Sequence, residues 1–261
     1  DTAIPHIPVT AHGLKENGYA TIATTNWLPY SWSINNVAFA EVMHTALSYF
    51  QAGRADAGYK LLKSSVLDGM YLGDSPGNFG QISFYDAARG ECYRDFGDPI
   101  GVASRVLIQG LFGILPDALN QQIILRPGFP DDWDKASVST PDISYRFTRK
   151  EDTDTYHITQ RFQTPLHPVL QINARKEKIR SVKVNGVPAT WQSIESAHGY
   201  PLLSIQAEGT SSTTITIEWE GASLHTLAVQ KLVIASNGKL ALQIPSGASI
   251  SQVYDPQSVL A

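Results

Sequence analysis

The chain has 261 residues, 43% hydrophobic and 10% aromatic, enough apolar material for one large domain or two ordinary ones. Its formal net charge of -4 at pH 7, with no block of like charges, excludes the basic footprint of a nucleic-acid or polybasic membrane-surface binder. Cys92 is the single cysteine, which excludes an intrachain disulfide and a cysteine-based metal centre, and no apolar run approaches the ~18 residues of a membrane span.

The chain opens on Asp1 rather than Met, so a signal peptide would lie outside this sequence, and a fragment of a longer protein is the expectation. Residues 24–36, "TTNWLPYSWSINN", mix flat aromatics with amides. The first helix is predicted over 34–52, where Val37, Ala38, Glu41, His44, Ala46, Leu47 and Phe50 follow a three-four rhythm and Gly53 supplies the stop. Val37, Phe39, Val42, Leu47 and Phe50 nearly encircle that helix, so it must be covered on most sides. "AGYKLLKSSVLDGMYLG" gives a second helix over 56–68, ending near Gly69 or Gly73. The stretch "GECYRDFGDPIG" then leads into a third over 99–114, with Val102, Val106, Leu107, Gly110 and Leu111 as one apolar stripe. Too few helices are present to cover one another, which makes this part read as the end of a larger helical assembly.

Beyond Asp117 the period changes. Short alternating runs such as "ISYRFTR", "TYHITQRF", "IRSVKVNG" and "TTITIEWEG" recur at roughly ten-residue spacing between turn residues, the signature of an antiparallel β-sandwich over about 121–255. Within it "VNGVPATW" is a hairpin whose Asn185-Gly186 pair supplies the positive-φ turn. The fold class is therefore α+β, with helices over 1–118 and a sandwich over 119–261.

The acidic stretch before the third helix divides by local chemistry. Asp98 ahead of Pro99 is the expected N-cap, with Pro at the first helical position. Arg94 among acids is an ion-pair partner for Asp95 or Asp98. Glu91 and Asp95 have no such local role. Acids of this kind are either solvated loop residues or a pair for general acid and base work, in which a protonated carboxyl donates and an ionised one accepts. In the 24–36 segment, Trp27, Tyr30 and Trp32 offer flat faces to sugar C–H surfaces, while Asn26, Asn35 and Asn36 donate to and accept from hydroxyls. The same composition suits a loop packed on the sandwich. Glu41 and His44 form a Glu-x-x-His pair, but a di-iron bundle needs the pair on facing helices, and no other helical segment carries one. No metal or other cofactor is expected, and His44 is read as hydrogen-bonded inside the helical assembly.

The segments "SWSINNVAFAEVMHTALSYFQAGR", "SPGNFGQISFYDAARGECYRDFGD" and "RVLIQGLFGILPDALNQQIILRPGFPDDWDKASVSTPDISYRF" together resemble the closing portion of an (α/α)6-toroid glycoside hydrolase with its C-terminal β-sandwich. The resemblance is nearest to the bacterial domain of unknown function 4450 family and extends more distantly to the α-L-rhamnosidase-like enzymes. It covers about residues 24–150. It implies a carbohydrate-active enzyme of oligosaccharides or polysaccharides in the periplasm or outside the cell. Its active site would lie at the toroid mouth, with the missing toroid helices supplied by the same gene product or another chain. Rhamnosidase-like enzymes carry a Thr-Thr-x-Trp-Glu phrase ending in the catalytic base; here Thr24-Thr25-Asn26-Trp27 is followed by Leu28, which cannot take a proton. By its place before the last helix, the Gly90–Asp98 loop takes that position, with Glu91 and Asp95 as catalytic candidates and Tyr93 and Arg94 beside them as substrate-binding residues. Two other classes fit parts of the pattern: a non-catalytic carbohydrate-binding or scaffolding module, and a polysaccharide lyase using Tyr85, Tyr93 and Arg94.

Overall fold

The computed structural model describes residues 6–11, 14–24, 37–72, 84–86, 91–93, 97–194, 201–224 and 238–239; for 6–11, 14–17, 72, 84–86 and 91–93 it describes the backbone alone. The chain forms one unit over Asp1–Thr226 and another over Leu227–Ala261. Every described helix and strand belongs to the first.

A hairpin opens this unit, β1 (His6–Ala11) pairing antiparallel with β2 (Leu14–Ile22). A two-residue strand, β3 (Val37–Ala38), runs straight into α1 (Phe39–Gln51). The helix thus starts later than residue 34, because residues 37–38 are held extended by a ladder with β4 (Phe84–Asp86), and Ala38 keeps φ -104 and ψ 110. Phe39, Ala40, Val42, Met43, Ala46, Leu47 and Phe50 form its wide buried arc. Glu41, His44 and Ser48 are exposed on the remaining side, so His44 is not buried inside the helical part as the sequence suggested. Gly53 ends the helix in the left-handed conformation at φ 72, and the amides of Gly53 and Arg54 return to the carbonyls of Phe50 and Tyr49 at 3.0 and 2.9 Å.

α2 (Ala55–Val66) continues through a wide, π-type turn over Leu67–Leu72, so Gly69 lies inside the helix rather than at its end. Strand β5 (Glu91–Tyr93) pairs with β4, and α3 (Asp98–Arg105) follows, itself extended by a π-type turn over Val106–Leu111. The expected stripe on this last helix is only partly buried: Val106, Gly110 and Leu111 are inside, while Leu107 is 41% exposed. The amide of Phe112 reaches the Leu107 carbonyl, five residues back, at 3.0 Å, and this wider turn shifts the phase of the residues it contains.

Gly113 follows the helical run in the left-handed conformation at φ 64, and only glycine fits there, because any Cβ would stand 1.9 Å from the Arg126 carbonyl oxygen. The chain then builds two sheets. β6 (Ile114–Asp117), β7 (Gln122–Leu125), β11 (His167–Asn173), β14 (Gln192–Ile194) and β15 (Leu202–Gln206) form a five-stranded sheet in the order β14-β15-β11-β7-β6. β8 (Lys135–Ser139), β9 (Ile143–Lys150), β10 (Thr153–Gln160), β12 (Lys176–Val184), β13 (Val187–Pro188) and β16 (Ser212–Ser223) form a six-stranded antiparallel sheet in the order β13-β12-β16-β10-β9-β8. The five-stranded sheet departs from the expected pattern at one place, since β7 and β11 are parallel. The chain leaves this sheet after β7 and returns only after three strands of the other, and such a crossover permits a parallel return. The predicted turn is as expected: Asn185 and Gly186 take φ 50 and 80, and the Asn185 side chain accepts from the Thr214 amide at 2.8 Å.

Alternation fixes the buried faces. Tyr156 and Ile158 on β10, and Ile215, Ile217 and Trp219 on β16, join Ile123, Leu125, Leu170, Ile172, Leu203 and Ile205 of the other sheet in one core. Met43, Leu47, Phe50, Val106 and Leu111 of the helices belong to the same core. At the seam the Phe50 ring lies in a cradle of glycines: an added Cβ would come within 3.0 Å of it at Gly58, 2.7 Å at Gly110 and 2.4 Å at Gly128. Trp133 stacks on Phe129 and meets Tyr59 of α2 edge-on at 4.9 Å, while Phe129 stacks on Phe147 at 5.2 Å. The phrase from Arg126 to Ala136 is therefore the joint between helices and sheets.

Candidate functional site

The backbone gives the candidate site one definite feature. β3, β4 and β5 form a three-stranded antiparallel sheet at the start of α1, with Val37 opposite Tyr85 and Tyr85 opposite Cys92. Glu91 and Tyr93 thus stand on a strand, not in the loop the sequence suggested, paired in register with Asp86 and Phe84. The ladder sets Val37, the first residue of β3, two strand spacings from β5, roughly 10 Å. Trp27, Tyr30, Trp32, Asn35, Asn36, Arg94 and Asp95 lie outside the described residues. Asp98 is exposed and is the first residue of α3 rather than its N-cap; Gly97 holds that place and no side-chain cap bond forms. Its carboxylate still lies in the first turn, where the helix dipole favours it.

Asp86 was not among the sequence candidates. The signal was available, because "FYD" and "ECY" flank "AARG" as two short runs around a glycine-containing turn, a spacing that pairs the two acids.

Elsewhere, acids are held in structural networks. Asp154, 2% exposed, accepts from Arg149 Nε at 2.9 Å and Arg175 at 3.4 Å on one oxygen, and from Trp219 Nε1 at 3.0 Å on the other. A buried carboxylate so enclosed has its lone pairs satisfied and organises the sheet around it. Asp131 is held above the usual carboxylate range, first by burial and then by Asp56, with Arg149 opposing. Asp152 is held below that range by the hydrogen bond from Lys176, whose Nζ lies at 2.7 Å. Burial raises the phenols of Tyr145 and Tyr156. Among the described residues no group of three or more His, Cys, Asp or Glu side chains could hold a metal ion, and no helix is long and apolar enough to cross a membrane.

The described residues thus define a mixed α+β unit of a few helices and two largely antiparallel sheets with a small sheet at the start of the first helix. No protein-family model matches the chain, and no curated protein sequence matches it. Among solved structures it is similar to the α-L-rhamnosidase from Dictyoglumus thermophilum, at 12% identity and TM-score 0.46 over 69% of this chain and 21% of that one. It is also similar to the Streptomyces avermitilis α-L-rhamnosidase complexed with L-rhamnose, at 14% identity and TM-score 0.42 over 69% and 18%. A third is the GH127 β-L-arabinofuranosidase Ara127N from Geobacillus stearothermophilus T6, at 10% identity and TM-score 0.32 over 70% and 32%. These neighbours are glycoside hydrolases, distant and partial, and the chain spans about a fifth of the length of the two rhamnosidases.

Proposed function

We propose that this chain is the C-terminal part of a carbohydrate-active enzyme, a glycoside hydrolase of the (α/α)6-toroid type nearest to the domain of unknown function 4450 family. In this reading the helices up to Leu111 close the toroid, and the β-sandwich, expected to begin at residue 119, begins already with β6 at Ile114. The substrate is an oligosaccharide or polysaccharide met in the periplasm or outside the cell, and further toroid helices come from the same gene product or another chain. The observation that carries the reading is the β3–β4–β5 ladder. It sets Val37, the residue that follows the aromatic and amide run in the chain, two strands from Cys92, which follows Glu91 at the start of the acidic run. The helix-to-sheet joint through Trp133 and Ala136 supports it, since it lies within the last of the three segments that carry the resemblance.

Glycosidic cleavage needs an acid and a base or nucleophile on either side of the bond, with carboxyls ~5 to 9.5 Å apart. Glu91 takes one role, Asp95 is the next candidate, and Asp86, the register partner of Glu91, enters as a further one. Trp27, Tyr30, Trp32, Asn35, Asn36, Tyr93 and Arg94 bind the sugar. In the complete enzyme Glu91→Gln lowers turnover by ~10² to 10⁴, the usual contribution of a proton-transfer group, and leaves the melting temperature unchanged. Near-full activity of Glu91→Gln moves the role to Asp95 or Asp86, and retention of activity by all three variants sinks the reading.

A further inference from the structure

A second site lies far along the chain from the acidic strand. Where β7 and β11 begin and β15 ends, a cleft of about 280 Å³ opens, lined by Gln122, His167, Val169, Gln206, Ala207 and Glu208, with Val184 and Ala189 from the β12–β13 side. Sheet register builds it: His167 is the parallel partner of Gln122, and Val169 the antiparallel partner of Gln206.

The lining has a definite hydrogen-bonding character. The Gly209 amide donates to His167 Nδ1 at 3.0 Å, so in the neutral ring the proton sits on Nε2 and that nitrogen is a fixed donor. Gln122 and Gln206 each bring an amide that donates and accepts, and Glu208, exposed at 93% of its side chain, brings an acceptor. Val169, Val184, Ala189 and Ala207 supply an aliphatic surface, and among the described residues no lysine or arginine lines the cleft. An anion meets the Glu208 carboxylate here, and a wholly apolar ligand makes no use of the Gln122 and Gln206 amides. Hydroxyls on a carbon ring fit both requirements, because each hydroxyl both donates and accepts while the C–H face covers the aliphatic surface.

We propose that this cleft is a binding site for a neutral sugar residue, separate from the acidic strand, that holds the substrate chain on the sheet region. The proposal rests on the carbohydrate reading above. Its test is to follow the His167 ring signals by NMR in the 261-residue chain during titration with neutral aldopentoses and aldohexoses and with D-glucuronate. A saturable shift with one or more neutral sugars, and none with the uronate, is expected. Gln206→Ala, an exposed position whose folding is checked by its melt, weakens binding about tenfold, the scale of one lost hydrogen bond, and Glu208→Gln admits the uronate. A ring unmoved by every sugar, or undiminished binding by Gln206→Ala, overturns the proposal. If His167 stays silent while Glu91→Gln abolishes turnover, only the cleft falls; sugar binding here alongside full activity of the acidic-strand variants removes the catalytic reading instead.

Discussion

α1 is rich in large apolar residues, α3 carries few, and the two meet different fates. α1 is wrapped along most of its length, with Phe39 and Met43 fully buried and Phe50 seated among Gly58, Gly110 and Gly128. In α3 only Pro99 is buried, and Ile100 is 50% exposed. Composition and neighbours act together: α1 carries more and larger apolar side chains and has α2 on one side and the sheet joint on another, whereas the described residues cover α3 along a single edge. A helix that keeps apolar residues on its open side is what the proposed toroid, with further helices, accounts for.

Four measurements break or sharpen that contrast. The largest effect belongs to the wrapped side: Phe50→Ala removes the ring from a cradle that glycines have shaped to it, and lowers unfolding free energy by about 3–5 kcal/mol in urea denaturation. Gly128→Ala tests the same cradle from the opposite wall. Its new methyl would meet Phe50 at 2.4 Å and the Gly110 carbonyl at 2.9 Å, and the overpacking destabilises by about 1–3 kcal/mol. A neutral response to either substitution would show that the seam is loose.

Charge near the joint gives an effect of opposite signs on two acids. Asp131 has a folded-state pKa raised above 3.8, so its charged form opposes folding; Asp131→Asn gains stability at pH 7, and the gain shrinks as the pH falls through the raised value toward 3.8. Asp152 has a lowered one, so its contribution is present above pH 3.8 and lost as the pH falls through the lower folded value; Asp152→Asn loses stability at pH 7 and matches the parent in strong acid. Thermal melts of both variants from neutral to acid pH check the signs, and parallel curves would refute them. The smallest effect belongs to the open helix: Ile100→Ser and Leu107→Ser shift the stability of this chain by no more than about 0.5 kcal/mol. In a protein carrying the further toroid helices, the same changes destabilise by more, and equal tolerance there would count against the toroid.

Much of this architecture is legible because periodicity is local. The three-four rhythm from Phe39 to Phe50, the alternation from Thr213 to Trp219 and the Asn185-Gly186 turn each follow from residues near one another, so helix, strand and hairpin fall where expected. Boundaries were harder. Val37 and Ala38 continue the helical pattern, yet pairing with residues 84–85 holds them extended, and nothing nearby signals that partner. The phase of Leu107 depends on a π-type turn, and the parallel β7–β11 pair on where the chain returns to its sheet.

For the candidate site, the sequence by itself determined which side chains were on offer: acids at Glu91 and Asp95, and aromatics and amides at 24–36. Only the tertiary structure decided what stands beside what. It set Asp86 opposite Glu91, drew β3 alongside β4 and β5, and gathered Gln122, His167 and Gln206 around one cleft from strands scattered over more than eighty residues. Side-chain type is written residue by residue, but proximity is a property of backbone pairing across long separations, where the partner is chosen by the sum of buried contacts and not by any signal in the strand itself.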